Sequence, residues 1–487
     1  MHPCLQVTEV LSLIAREVDL PRDHLSMALT CKCFYEPAIK MLWAECVSWR
    51  QLLACFPEDV WHISKENKLE GPSRPPTRTE WDRVLAHFRH VQTINMYMAP
   101  YDDLVVYLRF LSNYRPVTKL FPQLKHLLCL LIEEMAEFIG MLAGPSLRLA
   151  AISASDRHLA FALQISADES PLLRVLHICP EMQHSVYSVT SRAFHRCGHL
   201  FKNLLYLSCK GVLSFSPSMF LGLSARLPHL RNLECDIEPL EDEYTPPTQP
   251  HFPDLHSLDI HTASVPQVIV DLLQTQGMQE LEKMRITFTN QPSLRSVRKL
   301  FKVLGKHKAI QSLKFSIDEA PEVHDPAITI SEPVIRLLFG CETLQEVQMS
   351  NFVCSLQDNS LEAMATAWPQ LKTLEIMQTR SQTPGKITFR GLYALTSRFP
   401  QLRSIGLPFN FAAVSEEDLT YGKHAPSLSL SDIIVDSMPT IPDQALLAVV
   451  TSALFPNARF LPSHPDAPHS PWPDINRMLR LHKLART

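Results

Sequence analysis

One short pattern recurs along the chain, and it restricts the fold more than any other feature of the sequence. Residues 121–130 read FPQLKHLLCL, 252–260 FPDLHSLDI, 368–376 WPQLKTLEI and 399–407 FPQLRSIGL. All fit apolar-Pro-x-apolar-x-x-apolar-x-apolar. Without the proline requirement, further copies begin their apolar series at Val91, Leu124, Leu147, Leu173, Leu204, Leu230, Leu255, Leu281, Ile310, Leu344, Leu371, Leu402, Leu430 and Ala458. The steps run from 23 to 34 residues, with a mean of about 28.

The internal order of the pattern gives each copy a structure. Its last two apolar positions are two apart, as in Leu258 and Ile260, Leu313 and Phe315, or Leu374 and Ile376. In a strand both point to one face and the polar residue between them to the other. A strand so short is stable only beside another like it. Between copies the apolar spacing changes to three and four, as in 102–111, 266–274, 296–305 and 443–455, which predicts helices with one buried face. Pro122, Pro228, Pro253, Pro369, Pro400 and Pro456 each stand two residues before an apolar start and mark the helix-to-strand junction. The expected fold class is α/β: an irregular leucine-rich-repeat solenoid over 81–464, with parallel strands on the concave face and helices outside. An N-terminal all-α module (1–61), a linker (62–80) and a C-terminal tail with a short basic helix (465–487) complete the chain. The alternative is an α-solenoid of helix pairs.

The central polar position of successive strands holds His177, Ser208, Glu234, Asp259, Arg285, Lys314, Gln348 and Glu375. Two acids followed by two bases, on strands about 4.8 Å apart, define a candidate substrate-binding strip. The competing reading is a solvated face whose charges pair with one another.

Composition removes other classes. A formal charge of −4 over 487 residues gives no basic excess for nucleic acid. No run of about 18 apolar residues exists to span a membrane. Glu9, Arg16, Glu17 and Asp19 interrupt the first apolar stretch, unlike a signal peptide. Twelve cysteines without a CxxC pair suit reduced thiols in cytoplasm or nucleus. Cys129, Cys209 and Cys235 take the last apolar position of their copies, where a thiol acts as a small core residue. Thirteen glycines against 38 prolines leave little material for phosphate-cradling loops. His195, Cys197 and His199 are ligand types at a spacing that suits no zinc knuckle, so no metal is expected. Arg295, Arg298, Lys299, Lys302, Lys306 and Lys308 decorate one helical segment and read as its solvated face. Segments 64–80, 239–251, 379–386 and 462–473 read as extended loops. No catalytic constellation and no cofactor motif can be assembled.

Residues 1–50 lack the repeat and read as short helices. Val7, Val10, Leu11 and Ile14 share one face, Pro21 breaks the chain, Asp23 is placed to cap a second helix, and 33–43 forms a third. VTEVLSLIAREVD, LSMALTCKCFYEPAIKMLW and LLACFPEDVW together resemble the F-box-like N-terminus of leucine-rich-repeat proteins of mushroom-forming fungi, over residues 5–61, with 30–43 the most specific stretch. The resemblance implies a substrate-receptor subunit of a cullin-RING ubiquitin ligase, not itself an enzyme and without cofactor. Its N-terminal helices would dock on a Skp-type adaptor and its repeats would recruit a protein target. The adaptor-facing residues it implies are Leu5, Val7, Val10, Leu11, Ile14, Leu25, Ala28, Leu29 and Phe34, with Tyr35, Pro37, Leu42 and Trp43 packing the closing turn. Thr8 stands where that family usually has proline, a place where threonine can cap. The alternative function is a leucine-rich-repeat interaction scaffold without ligase engagement.

Overall fold

The structure, a computed structural model of the chain, describes residues 7–46, 48–64, 69–95, 101–129, 138–153, 156–179, 189–190, 194, 198–238, 244–249, 251–275, 278–318, 328–377, 385–422, 427–435, 441–462 and 470–486. The chain divides into two compact units, Met1–Ser214 with Gly222–Cys235, and Phe215–Leu221 with Asp236–Thr487.

Every predicted apolar start, from Val91 to Ala458, is at most 8% exposed. A strand begins two residues after each of the first thirteen, from Thr93–Asn95 to Asp432–Val435, and one residue after Ala458, at Arg459–Pro462. The predicted helices fall at Tyr101–Tyr114, Gln267–Gln274, Leu294–Leu304 and Gln444–Leu454. The recurrent prolines sit in a tight turn between helix and strand. The Leu124 N–H donates to the Phe121 carbonyl at 3.1 Å, Leu371 to Trp368 at 3.1 Å and Leu402 to Phe399 at 3.2 Å. Pro122, Pro369 and Pro400 each occupy the second turn position, where a φ fixed near −65° is needed and no N–H is missed.

In the first unit, parallel pairing runs from Glu45–Cys46 through Thr93–Asn95, His126–Cys129, Leu149–Ser153, Val175–Cys179 and Tyr206–Ser208 to Asn232–Glu234. One carbonyl at the entry of each strand accepts two N–H groups of the next copy. Ala44 accepts from Gln92 and Thr93, Gln92 from Lys125 and His126, and Lys125 from Arg148 and Leu149. Strand Glu45–Cys46 therefore belongs to the repeat sheet, although the sequence placed it inside the helical module. Residues 62–64 and 69–80 of the expected linker are also structured. Trp61–Ile63 pairs antiparallel with Leu69–Pro72, and Thr77 opens helix Arg78–Phe88 with a capping box closed by Glu80. Arg74 donates to both carboxylate oxygens of Asp59 (2.7 and 3.0 Å) and to both of Glu80 (3.0 and 2.7 Å), which holds hairpin and helix together.

Ahead of this sheet stand three helices, Thr8–Arg16, Pro21–Thr30 and Lys32–Leu42. Their caps correct the sequence reading. Thr8 is the first helical residue and Val7 the cap, with no side-chain capping bond. Pro21 starts the second helix, since a first-turn proline has no partner to lose, and Asp23 sits in its first turn, not at its cap. Pro37 lies within the third helix. Leu11, Ala15, Ala28, Ala38 and Ile39 are buried, and His24 donates from Nε2 to the Ala15 carbonyl at 2.9 Å. Trp43 stacks on His87 at 5.0 Å and Glu36 pairs with Arg89 at 3.2 Å.

In the second unit the strands pair in parallel from Ser257–Thr262 through Lys283–Phe288, Ser312–Ile317, Glu346–Ser350, Thr373–Met377, Ser404–Gly406 and Asp432–Val435 to Arg459–Pro462. The parallel sheet excludes an α-solenoid of helix pairs. Alternate side chains pack on the helix layer, as Phe315 does on Phe301, 5.2 Å between rings. Helix ends of neighbouring copies approach closely: a Cβ at Gly305 would lie 2.0 Å from the Leu337 carbonyl oxygen, and one at Gly340 1.9 Å from that of Gly305. Only glycine permits that approach.

The C-terminal segment is not a tail. Helix Trp472–Arg486 buries Trp472, Ile475 and Leu479, and Trp472 stacks on Phe460 at 4.8 Å. Asn476 accepts from the Phe460 N–H at 2.9 Å and donates to its carbonyl at 2.7 Å. Arg459 bonds inward to Ser431, so the Phe460 groups point to the outer edge. The amide of Asn476 thus replaces a further strand. Among the described residues no helix is long and apolar enough to cross a membrane.

Candidate protein-binding surfaces

In the second unit, Asp259, Arg285, Lys314, Gln348 and Glu375 are direct register partners on consecutive strands, the row expected from the sequence. Their charges are mutually engaged. Arg285 pairs with Asp259 at 3.3 Å. Lys314 reaches Glu346 at 2.6 Å, two residues before its register partner on the next strand, and Ser312 donates to the same carboxylate at 2.7 Å. Glu375 accepts from Gln348 at 3.1 Å and from Ser404 at 3.1 Å. Burial pushes the Glu375 carboxyl above its ordinary value, against the pull of those two hydrogen bonds. The row is a pre-paired polar surface, and charge exchange with a partner first requires breaking these pairs. Sequence counting located the row but missed Glu346 and Ser404, because their roles arise from diagonal contacts.

In the first unit, His177, Ser208 and Glu234 are aligned on adjacent strands. Tyr206 donates to one Glu234 oxygen at 2.6 Å and Ser208 to the other at 2.7 Å. The ring of His177 lies 4.9 Å from that of Tyr206, and burial pushes its imidazole below the ordinary value. Tyr206 lies off the predicted position and was not foreseen.

The helical module presents a different surface. Val7, Ile14, Leu25 and Leu29 are exposed, Leu29 by 77%. Val10 and Phe34 are half-buried. Leu11 and Ala28 are corrections: expected on the docking face, they form the module's own core at 2% and 6% exposure. Leu5 lies outside the described residues. Tyr35, expected in the closing turn, is exposed, while Pro37 is buried and Leu42 and Trp43 are half-buried. Leu13 and Leu20, each 58% exposed, join this apolar surface and were not predicted.

His195 and Cys197 lie outside the described residues, and His199 is exposed. Among the described residues no group of three or more His, Cys, Asp or Glu side chains is placed to hold a metal. Cys209 and Cys235 are buried, and the Cys129 side chain lies outside the described residues. Burial pushes the thiols of Cys46, Cys55 and Cys341 up to about 12, the opposite of a reactive cysteine. Lys299 of the basic segment donates to Gln267 at 2.9 Å, and its other cations are exposed. No family model matches the chain, and no curated protein matches it.

Proposed function

We propose that the chain is a substrate-receptor subunit of a cullin-RING ubiquitin ligase, with its three N-terminal helices on a Skp-type adaptor and its repeat sheets holding a protein target. One observation carries this reading. Among the described residues sixteen large apolar side chains are exposed, and seven of them belong to three short helices: Leu13, Ile14, Leu25, Leu29 and Tyr35 within them, Val7 and Leu20 at their N-caps. Concentrated exposed apolar surface marks a protein interface. The repeats offer polar sheet faces with no assembled catalytic group among the described residues, which suits holding a target near a transferring enzyme at high effective concentration.

The test is co-purification of the full chain with a Skp-type adaptor. Leu25→Asp with Leu29→Asp alters only exposed positions, so the fold should survive and adaptor capture should be lost. Capture unchanged in this variant, or no capture by the unaltered chain, overturns the reading. Adaptor-independent retention of a target would then favour the scaffold function.

A further inference from the structure

The last strand of the array and the C-terminal helix line an open cavity of about 450 Å³. Pro456, Leu461 and Leu479 give it an apolar side; Arg459, Arg480 and Lys483 give it a cationic one. Its size falls in the range of small-molecule sites. The helix face is fixed, because Asn476 is pinned to Phe460 by two hydrogen bonds and Arg480 and Lys483 follow it at four and seven residues.

The three cations differ in their partners. Arg459 is neutralised by Asp432 at 2.8 Å. Arg480 spends its Nε on the Asn476 carbonyl at 3.3 Å, and Lys483 donates to the neutral Asn457 amide oxygen at 3.2 Å. Neither Arg480 nor Lys483 faces a carboxylate among the described residues. Two like charges line the same cavity as the apolar side chains, and an anion relieves their repulsion while an apolar body covers the apolar side.

We propose that this cavity binds a small amphipathic organic anion, its acidic head between Arg480 and Lys483 and its apolar body against Leu461, Leu479 and Pro456. The site is independent of the adaptor reading. It is probed on the full chain by fluorescence titration with 8-anilinonaphthalene-1-sulfonate, against uncharged N-phenyl-1-naphthylamine. The sulfonate should bind saturably, and about tenfold tighter than the uncharged probe. Arg480→Gln with Lys483→Gln should abolish that advantage without changing the melting temperature, since both side chains are exposed. Arg477→Gln, an exposed cation of the same helix outside the cavity lining, should leave it intact. Equal binding of the two probes, an advantage that survives the double substitution, or an equal loss on Arg477→Gln overturns the proposal.

Discussion

The helical module and the repeat sheets solve the same problem in opposite ways. In the sheets each copy covers the next. The apolar starts are buried, a single carbonyl accepts two N–H groups from the following copy, and charges such as Arg285 and Lys314 are matched across strands. In the module, helices of 9, 10 and 11 residues meet through a thin core rich in alanine and lack side-chain caps. Helices of that length are marginal alone. They hold by packing, through Trp43 on His87 and Glu36 on Arg89, and leave several large apolar side chains outside. Self-sufficiency in one region and unmet apolar surface in the other indicate where a partner gains most.

Two leucines break or sharpen that contrast most strongly. Leu374 is fully buried between paired strands on either side. Leu374→Ala should cost about 2–5 kcal/mol, the usual loss for an unfilled leucine site. Leu29, 77% exposed, should tolerate alanine within about 0.5 kcal/mol while weakening adaptor capture. Urea unfolding of both variants measures the difference. Comparable losses at the two positions would mean that the module is as self-contained as the sheets.

The sheets were legible because each copy carries its own origin. Counting from the apolar start placed Asp259, Arg285, Lys314, Gln348 and Glu375 in one row, and period two fixed the buried side. The module was legible only as helices. With apolar residues around most of the circumference, spacing could not tell the inward Leu11 and Ala28 from the outward Leu13 and Leu29. Strand Glu45–Cys46 was missed because two residues carry no period. Residues 62–80 read as a linker because proline and charge dominate them. The described part is tied together by Arg74, whose partners stand 15 and 6 residues away. Asn476 was missed for the same reason: its role exists only through the tertiary contact with Phe460.

That contact ends the array, so it tests how far the sheets depend on their last member. Asn476→Ala leaves the Phe460 N–H and carbonyl without their partner, at a cost of about 1–3 kcal/mol. Coupling in stacked repeats runs between neighbours. The loss should therefore appear as faster amide hydrogen exchange in Trp472–Arg486 and Arg459–Pro462, with Ser257–Thr262 unaffected. Uniformly faster exchange across the second unit would show that the cap stabilises the unit as a whole.

The smallest effect concerns the Arg74 junction beside the module. The Arg74 guanidinium, together with the Thr77 N–H, holds the Glu80 carboxyl well below the ordinary carboxylate range, at about 2, and the same guanidinium lowers Asp59. A carboxylate whose folded value is depressed stabilises the fold above its unfolded value, and that contribution fades as pH falls towards the folded one. For Glu80 the window runs from about 4.5 down to about 2. The melting temperature of the full chain should therefore fall with acid across this window more steeply than that of Glu80→Gln, which has no such proton to take up. At neutral pH Glu80→Gln should melt slightly lower than the unaltered chain, because Arg74 retains Asp59. Parallel acid profiles for the two proteins would mean that the junction between hairpin and helix is held by its buried aromatic side chains, such as Phe56 against Trp61 at 6.2 Å and against Trp81 at 5.0 Å, and not by its ion pairs.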